Sequence, residues 1–390
     1  MITEPLSPRP DRGGTATVGM VGAGQLARMT HQAAIALGID LTVLSVDAED
    51  PAVLAGAAHL CGDPDEVASL FALAEASDVV TFDHELVPNQ HLEQLAAAGH
   101  QVRPNAVAKR VAQDKAFARS TLARADFPVP PFLVTDAGSS DAVEAFAREH
   151  GWPLVLKAPR GGYDGRGVEV VRDRAALAAS PLAGSQPRWL LEAMVPIAVE
   201  LAVLVARRPS GWWSTYPVVE TVQEDGICRE LVMPARIPVE VADRAAALAV
   251  SLAEGIDATG ILAVEFFVTT DGELLVNEIA ARPHNSGHAT IDACQTSQFE
   301  NHLRGILDWP LGATAMAAPA AATVNLLGPP GALDLRRGMP AALQDPAVHV
   351  HLYRKDPAPG RKLGHVTALA DDADAALASA RAAAAILVGR

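Results

Sequence analysis

A single turn dipeptide constrains this chain more than any other feature. Asp271-Gly272 separates two runs rich in β-formers, residues 261–269 (ILAVEFFVT) and 273–279 (ELLVNEI). Asp-Gly is the strongest short signal for a two-residue hairpin turn, because both central positions need positive φ. With those residues as the turn, Thr270 pairs with Glu273, and counting back sets Glu265 directly opposite Glu278. Two carboxylates facing each other across a strand pair repel. A divalent cation between them removes the conflict, and one or two carboxylates completed by phosphates are what Mg²⁺ uses in nucleotide sites. A solvated edge pair of acids is the plainer alternative, and the apolar residues around both glutamates disfavour it.

At 390 residues the chain is too long for one ordinary core, so two or three domains are expected. No run of eighteen apolar residues occurs, which argues against a membrane span. Residues 1–16 are polar and proline-rich without an apolar core, and read as a disordered tail rather than a signal peptide. The net charge of −15 argues against general nucleic-acid binding; anionic ligands must meet local basic clusters instead. The three cysteines (Cys61, Cys228, Cys294) are scattered and lack CxxC spacing, a pattern that suits a reducing cytoplasm and offers no metal framework.

The pattern predicts a first α/β unit over 17–126: strands at 17–21, 41–46 and 79–82, a helix over 25–37, and a helical stretch over 109–126 that stops before Pro128, Pro130 and Pro131. A second unit, 127–312, holds a helix over 141–150, strands at 153–158 and 167–171, β runs at 200–206 and 215–221, a helix over 239–254 and the hairpin. It divides into two lobes near 195–206. The alanine- and proline-rich stretch 313–322 reads as a linker into a small C-terminal domain, 313–390, that ends in an alanine-rich helix over 370–387.

Four segments carry chemistry. Residues 18–27 form a strand followed by GxGxxA opening a helix; Gly22 and Gly24 permit a tight turn and an anion at the helix N-terminus. Asp47, at the end of the second strand, suits a ribose-binding acid, so a nicotinamide-dependent dehydrogenase is one reading. Lys157 ends an apolar strand and precedes a loop with four glycines and two arginines (Arg160 to Gly167) whose N–H groups can wrap phosphates. This is not a Walker loop, since GxxxxGK[ST] is absent. Arg282, His284, Asn285, Ser286 and His288 directly follow the Glu278 strand and can bind a polyhydroxylated anion such as a sugar phosphate. Zinc competes there through the i, i+4 pair His284 and His288, but no HExxH is present and Gly287 weakens a helix. Lys355, Arg361 and Lys362 form a second basic cluster on an acidic protein, suggesting a phosphate clamp; a solvated basic turn is the alternative.

Together the strings GGYDGRG, VNEIAARPHNSGH, TSQFENHLR and PGRKLGHV resemble the ATP-grasp superfamily and, within it, the N5-carboxyaminoimidazole ribonucleotide synthetases of purine biosynthesis, over about residues 18–366. The resemblance implies an α/β and α+β architecture: an ATP-grasp fold with an N-terminal Rossmann-like (pre-ATP-grasp) domain and a small C-terminal domain. It implies ATP held by Lys115, Lys157 and the loop Gly162, Tyr163, Asp164, Gly165, Arg166 and Gly167. Glu192, Met194 and Val195 would lie at the adenine and linker strand, Glu200 on the ribose, with Gln223 and Asn277 beside the nucleotide. Glu265 and Glu278 match the Mg²⁺ ligands, in agreement with the hairpin count.

Gly22, Gly24, Gln25, Glu85, Tyr163, Arg166, Arg282, His284, Asn285, Ser286, Lys355, Arg361 and Lys362 match positions near aminoimidazole ribonucleotide. The implied reaction phosphorylates bicarbonate with ATP and carboxylates the substrate's exocyclic amine. Lys157, Arg282 and Tyr163 would serve catalysis, Tyr163 within a lid. Gln223 stands where many members carry histidine, Lys115 where arginine is frequent, and Ala281 and Ala289 where Pro and Trp are usual. The family also implies a cytoplasmic homodimer. A formate-dependent transformylase is the nearest rival enzyme, and a non-catalytic nucleotide sensor a third option.

Overall fold

The computed structural model of the protein describes residues 14–162, 167–329 and 333–389. Most of the expected tail, and Tyr163, Asp164, Gly165 and Arg166 of the expected phosphate loop, lie outside those residues.

The first unit is a four-stranded parallel sheet in the order Ala58–Cys61, Asp40–Ser45, Thr17–Val21, Val79–Phe82. The helix Gln25–Leu37 buries Leu26, Ala27, Met29, Thr30 and Ala34 and ends at Gly38, whose φ of 67° lets its N–H turn back to the Ala34 and Ile35 carbonyls. The helix expected over 109–126 is instead two, Ala106–Gln113 and Lys115–Arg124. Asp114 separates them: its extended backbone (φ −115°, ψ 100°) breaks the first, and its carboxylate caps the second by accepting from Phe117 N at 2.9 Å.

The small lobe is a four-stranded antiparallel sheet ordered Phe132–Asp136, Arg188–Ala193, Leu154–Lys157, Val168–Val171. The large sheet has nine strands. Its path runs Leu274–Ala280, Gly260–Thr269, Ile197–Arg207, Val219–Glu224, Ile227–Met233, Ala320–Leu327, Lys362–Ala370, Val348–Leu352, with Trp213–Thr215 paired off it to Ile197–Arg207. The β run expected over 215–221 is thus split between two strands, because Pro217 has no N–H to give a ladder. Residues 320–322 are not linker but the start of a buried strand lying between two others. All three alanines are buried, and Ala322 packs in one cluster with helix Ala373–Leu387. Ala370 closes a strand rather than opening that helix.

The hairpin forms by a different route from the one expected. Thr269 and Glu273 close the loop (Thr269 N to Glu273 O, 2.9 Å), Gly272 N bonds Thr269 O, and Gly272 takes φ 87° while Asp271 is not in the positive region. The turn is a three-residue loop ending in a left-handed glycine. That shift would misalign the glutamates, but a bulge between Glu265 and Phe266 restores the count: Phe266 pairs with Val276 and Glu265 with Glu278. The carboxylates do face each other.

Candidate active site

Glu265 and Glu278 lie where the large sheet, the small lobe and the C-terminal strands meet. Lys115 holds Glu278 in an ion pair, and its backbone N–H donates to Pro159 O at 2.8 Å beside the glycine loop. Burial and the neighbouring Glu278 and Glu200 push the Glu265 carboxyl well above the ordinary range, with Lys115 and Lys362 only partly offsetting them. A negative site short of positive charge, offering hard oxygen donors from two adjacent strands, fits Mg²⁺. His284 lies 3.9 Å from Glu265; burial, then Arg282 and Lys362, push its imidazole down to about 3, so it is neutral there.

The nucleotide side is built on a buried network. Lys157 Nζ lies 2.7 Å from Glu192 Oε2 and donates to Asn277 Oδ1 at 3.2 Å. Glu192 also accepts from Arg119 Nε at 2.7 Å. Burial alone would raise the Glu192 carboxyl, but Lys157 and Arg119 outweigh it and hold the value low. After the Glu192 strand, Met194 is exposed and Val195 half-buried, leading into the strand that carries Glu200. Glu200 pairs with Phe267 on one neighbour and Thr221 on the other, and burial raises its carboxyl. Gln223 sits at a bulge opposite Cys228.

On the other side, four segments far apart in sequence converge. Gln25 Oε1 accepts from Lys355 Nζ at 2.5 Å, Arg282 Nε lies 2.7 Å from Glu85 Oε1, and Lys362 lies close enough to bias both Glu265 and His284. Burial would raise Glu85, but Arg282 and Lys109 hold it low. Asn285 has both amide atoms buried without a partner, while Ser286 Oγ bonds His284 Nδ1 at 2.9 Å. Arg361 is exposed, with Nη1 reaching Asp356 O at 3.3 Å. The TSQFENHLR string proves to be a brace: Gln298 accepts from His284 N at 2.9 Å and donates to His284 O at 2.7 Å.

The glycine turn after the first strand does not hold an outside anion in the dinucleotide manner. Gly24 N donates to Asp83 Oδ2 at 2.7 Å, and a Cβ on Gly22 would stand 1.8 Å from Asp83 Oδ1. Asp47 is exposed and caps its own turn through Glu49 N at 2.8 Å. The protein's own carboxylate occupies the place the dehydrogenase reading needs for pyrophosphate. Gly22→Ala should therefore destabilise the protein by more than the ~1–3 kcal/mol of a strained backbone alone, since its φ of 95° is added to the clash; thermal unfolding of the variant checks this. Zinc also finds no support: no three His, Cys, Asp or Glu side chains converge on a metal position among the described residues.

Asp83, Lys109, Arg119 and Gln298 escaped sequence reasoning. Lys109 is buried, donates to His84 O and lies 4.4 Å over the Phe82 ring; burial pushes its ammonium down to about 8. A usable signal did exist for Asp83, since ligand sites of open α/β sheets gather at the carboxyl ends of strands.

Comparison with known proteins agrees with this geometry. Residues 15–113 match the ribonucleotide synthetase preATP-grasp domain, 120–299 the ATP-grasp domain, and 321–379 the phosphoribosylaminoimidazole carboxylase C-terminal domain. Fold and site thus define an ATP-grasp ligase. The N5-carboxyaminoimidazole ribonucleotide synthase of Mycobacterium tuberculosis (strain ATCC 25618 / H37Rv) is 46% identical over 361 residues, 91% of this chain and 84% of that protein. The chain belongs to the N5-carboxyaminoimidazole ribonucleotide synthase family.

Among solved structures, the Aspergillus clavatus enzyme in complex with ADP and 5-aminoimidazole ribonucleotide superposes with a TM-score of 0.88 at 31% identity, covering 96% of this chain and 98% of that one. The Thermus thermophilus synthetase gives 0.85 at 34%, covering 96% and 99%.

Proposed function

We propose that this protein uses ATP and bicarbonate to carboxylate the exocyclic amine of 5-aminoimidazole ribonucleotide, releasing ADP and phosphate in purine biosynthesis. The observation that carries the reading is the convergence of Gln25, Glu85 with Arg282, His284 with the unpartnered amide of Asn285, and Lys355 with Lys362 beside the facing glutamates. Phosphoryl transfer from ATP to bicarbonate gives carboxyphosphate. The amine nitrogen then bonds to the carboxyl carbon, supplied by carboxyphosphate or by CO₂ released from it, phosphate leaves, and the amine gives up a proton. Such chemistry needs charge neutralisation and exclusion of water more than a covalent nucleophile.

Lys115, Lys157, the described glycines Gly162 and Gly167, and Asn277 serve the nucleotide phosphates; Glu192, Met194, Val195, Glu200 and Gln223 serve its adenosine. Glu265 and Glu278 would hold Mg²⁺, which would supply charge neutralisation for phosphoryl transfer. Gly22, Gly24, Gln25, Glu85, Arg282, His284, Asn285, Ser286, Lys355, Arg361 and Lys362 line the ribonucleotide side. Arg282 is well placed to stabilise transferring charge, because Glu85 and Lys109 fix the wall behind it. A cytoplasmic setting is supported by the exposed free thiol of Cys61, and a homodimer by the family resemblance.

The test is turnover with ATP, bicarbonate and 5-aminoimidazole ribonucleotide, each omitted in turn and formate offered in place of bicarbonate. ADP release with no carboxylated ribonucleotide formed when all three substrates are present, or a preference for formate, overturns the reading. Arg361→Ala should raise KM for the ribonucleotide and leave KM for ATP almost unchanged, as loss of a ground-state contact does. Equal damage to both KM values would count against a clamp at that position.

A further inference from the structure

Arg119 touches neither the residues proposed for the ribonucleotide nor the two glutamates, yet its guanidinium makes three bonds to two strands of the nucleotide side. Its Nη1 donates to Val276 O at 2.7 Å, its Nη2 to Asn277 O at 2.9 Å, and its Nε to Glu192 Oε1 at 2.7 Å. In a regular antiparallel strand, successive carbonyls point to opposite edges. Here two successive carbonyls turn to one side chain, and they belong to the bulge, where pairing jumps from Phe266 with Val276 to Glu265 with Glu278 and leaves Asn277 unmatched.

The bulge decides which way Glu278 points. Continued without it, the ladder would pair Glu265 with Asn277 and Val264 with Glu278. Side chains alternate with period two, so Glu278 would then share the face of Val264 and Phe266, both fully buried in the core.

We propose that Arg119 is the positioning residue that holds this bulge and so keeps Glu278 on the face of Glu265. Its bond to Glu192 ties the same setting to Lys157. The planar fork is what the role needs: a lysine could reach one of these acceptors but not span two carbonyls and a carboxylate. This inference rests on the reading of the glutamates as Mg²⁺ ligands only for its consequence, not for the bulge itself.

Two variants, Arg119→Lys and Arg119→Met, test it with two readouts. Amide hydrogen exchange on the metal-free, ligand-free protein is expected to show faster exchange across residues 276–278 in both variants, with the rest of the large sheet protected as in wild type. Calorimetric titration of ADP at stepped Mg²⁺ concentrations is expected to show the Mg²⁺ midpoint raised ~10–100-fold in Arg119→Met, as when an outer-shell partner is lost, and only partly restored in Arg119→Lys. Wild-type protection at 276–278 in either variant overturns the inference, whatever the metal does. A wild-type Mg²⁺ midpoint in Arg119→Met overturns its consequence. ADP binding by the wild-type protein that ignores Mg²⁺ instead overturns the metal reading and leaves the exchange result to decide the role of Arg119. Since Arg119→Lys keeps the buried charge, it supplies the exchange result if Arg119→Met does not fold.

Discussion

Glu278→Gln should fold normally and lose ATP turnover by at least on the order of a hundredfold, above what loss of an outer-shell partner costs. The side chain is 45% exposed and the amide is isosteric, so packing has little to lose. What changes is charge. One of the two facing carboxylates becomes neutral, Lys115 loses its ion-pair partner, and the site keeps only Glu265 to hold a dication. The neutral variant also relieves the repulsion that raises Glu265, so its thermal stability should match or exceed wild type. Measuring ADP release alongside the unfolding curve separates the two effects. Turnover close to wild type in a folded Glu278→Gln protein would sink the assignment.

Glu192→Leu should be the most damaging single change to the fold at this site. Glu192 is almost fully buried and neutralises Lys157 and Arg119 together. Its removal leaves two buried cations facing an apolar side chain, and breaking a buried pair in this way costs about 3–5 kcal/mol. The effect is pH-dependent with a defined sign. The Glu192 carboxyl is held below its unfolded value, so its contribution is complete above the unfolded pKa of ~4.3 and is lost as pH falls through the lower folded value. Urea midpoints of wild type and variant should therefore differ most near neutrality and converge in acid. A constant gap across that range would mean that the loss is one of packing rather than charge.

Much of the first unit is legible in its sequence, because the signals there are local. The strand Thr17–Val21 and the helix Gln25–Leu37 follow from a β run, a glycine pair and a left-handed Gly38. Asp114 carried a readable signal too, an N-cap type in mid-pattern, but the uninterrupted helical periodicity over 109–126 hid the break. At 320–322 composition misled: alanine is a poor strand former in isolation, and only burial between two neighbours and beneath a helix makes it suitable. The facing glutamates came out right through two offsetting departures, a loop one residue longer than expected and a bulge that takes the residue back.

The bulge could not be read ahead, because its cause is Arg119, more than 150 positions away. The same holds for Gln25 with Lys355, which meet across 330 positions. Residue type marked these groups as chemical; only the fold says which of them meet.

The continuity of the large sheet bears on how the chain can be divided. Residues 321–379 match a family domain of their own, which invites treating them as a detachable piece. Yet Ala320–Leu327 is bonded along Ile227–Met233, with Glu230, Leu231, Val232 and Met233 paired to Val324, Thr323, Ala322 and Ala321. A chain ended at residue 312 would bare that apolar edge and uncover Val232 beneath the missing helix, which is the kind of surface that recruits further strands from other molecules. Such a fragment should aggregate instead of persisting as a smaller nucleotide-binding protein. A library of permuted or split versions should likewise tolerate new ends in exposed turns away from this seam and reject them along it.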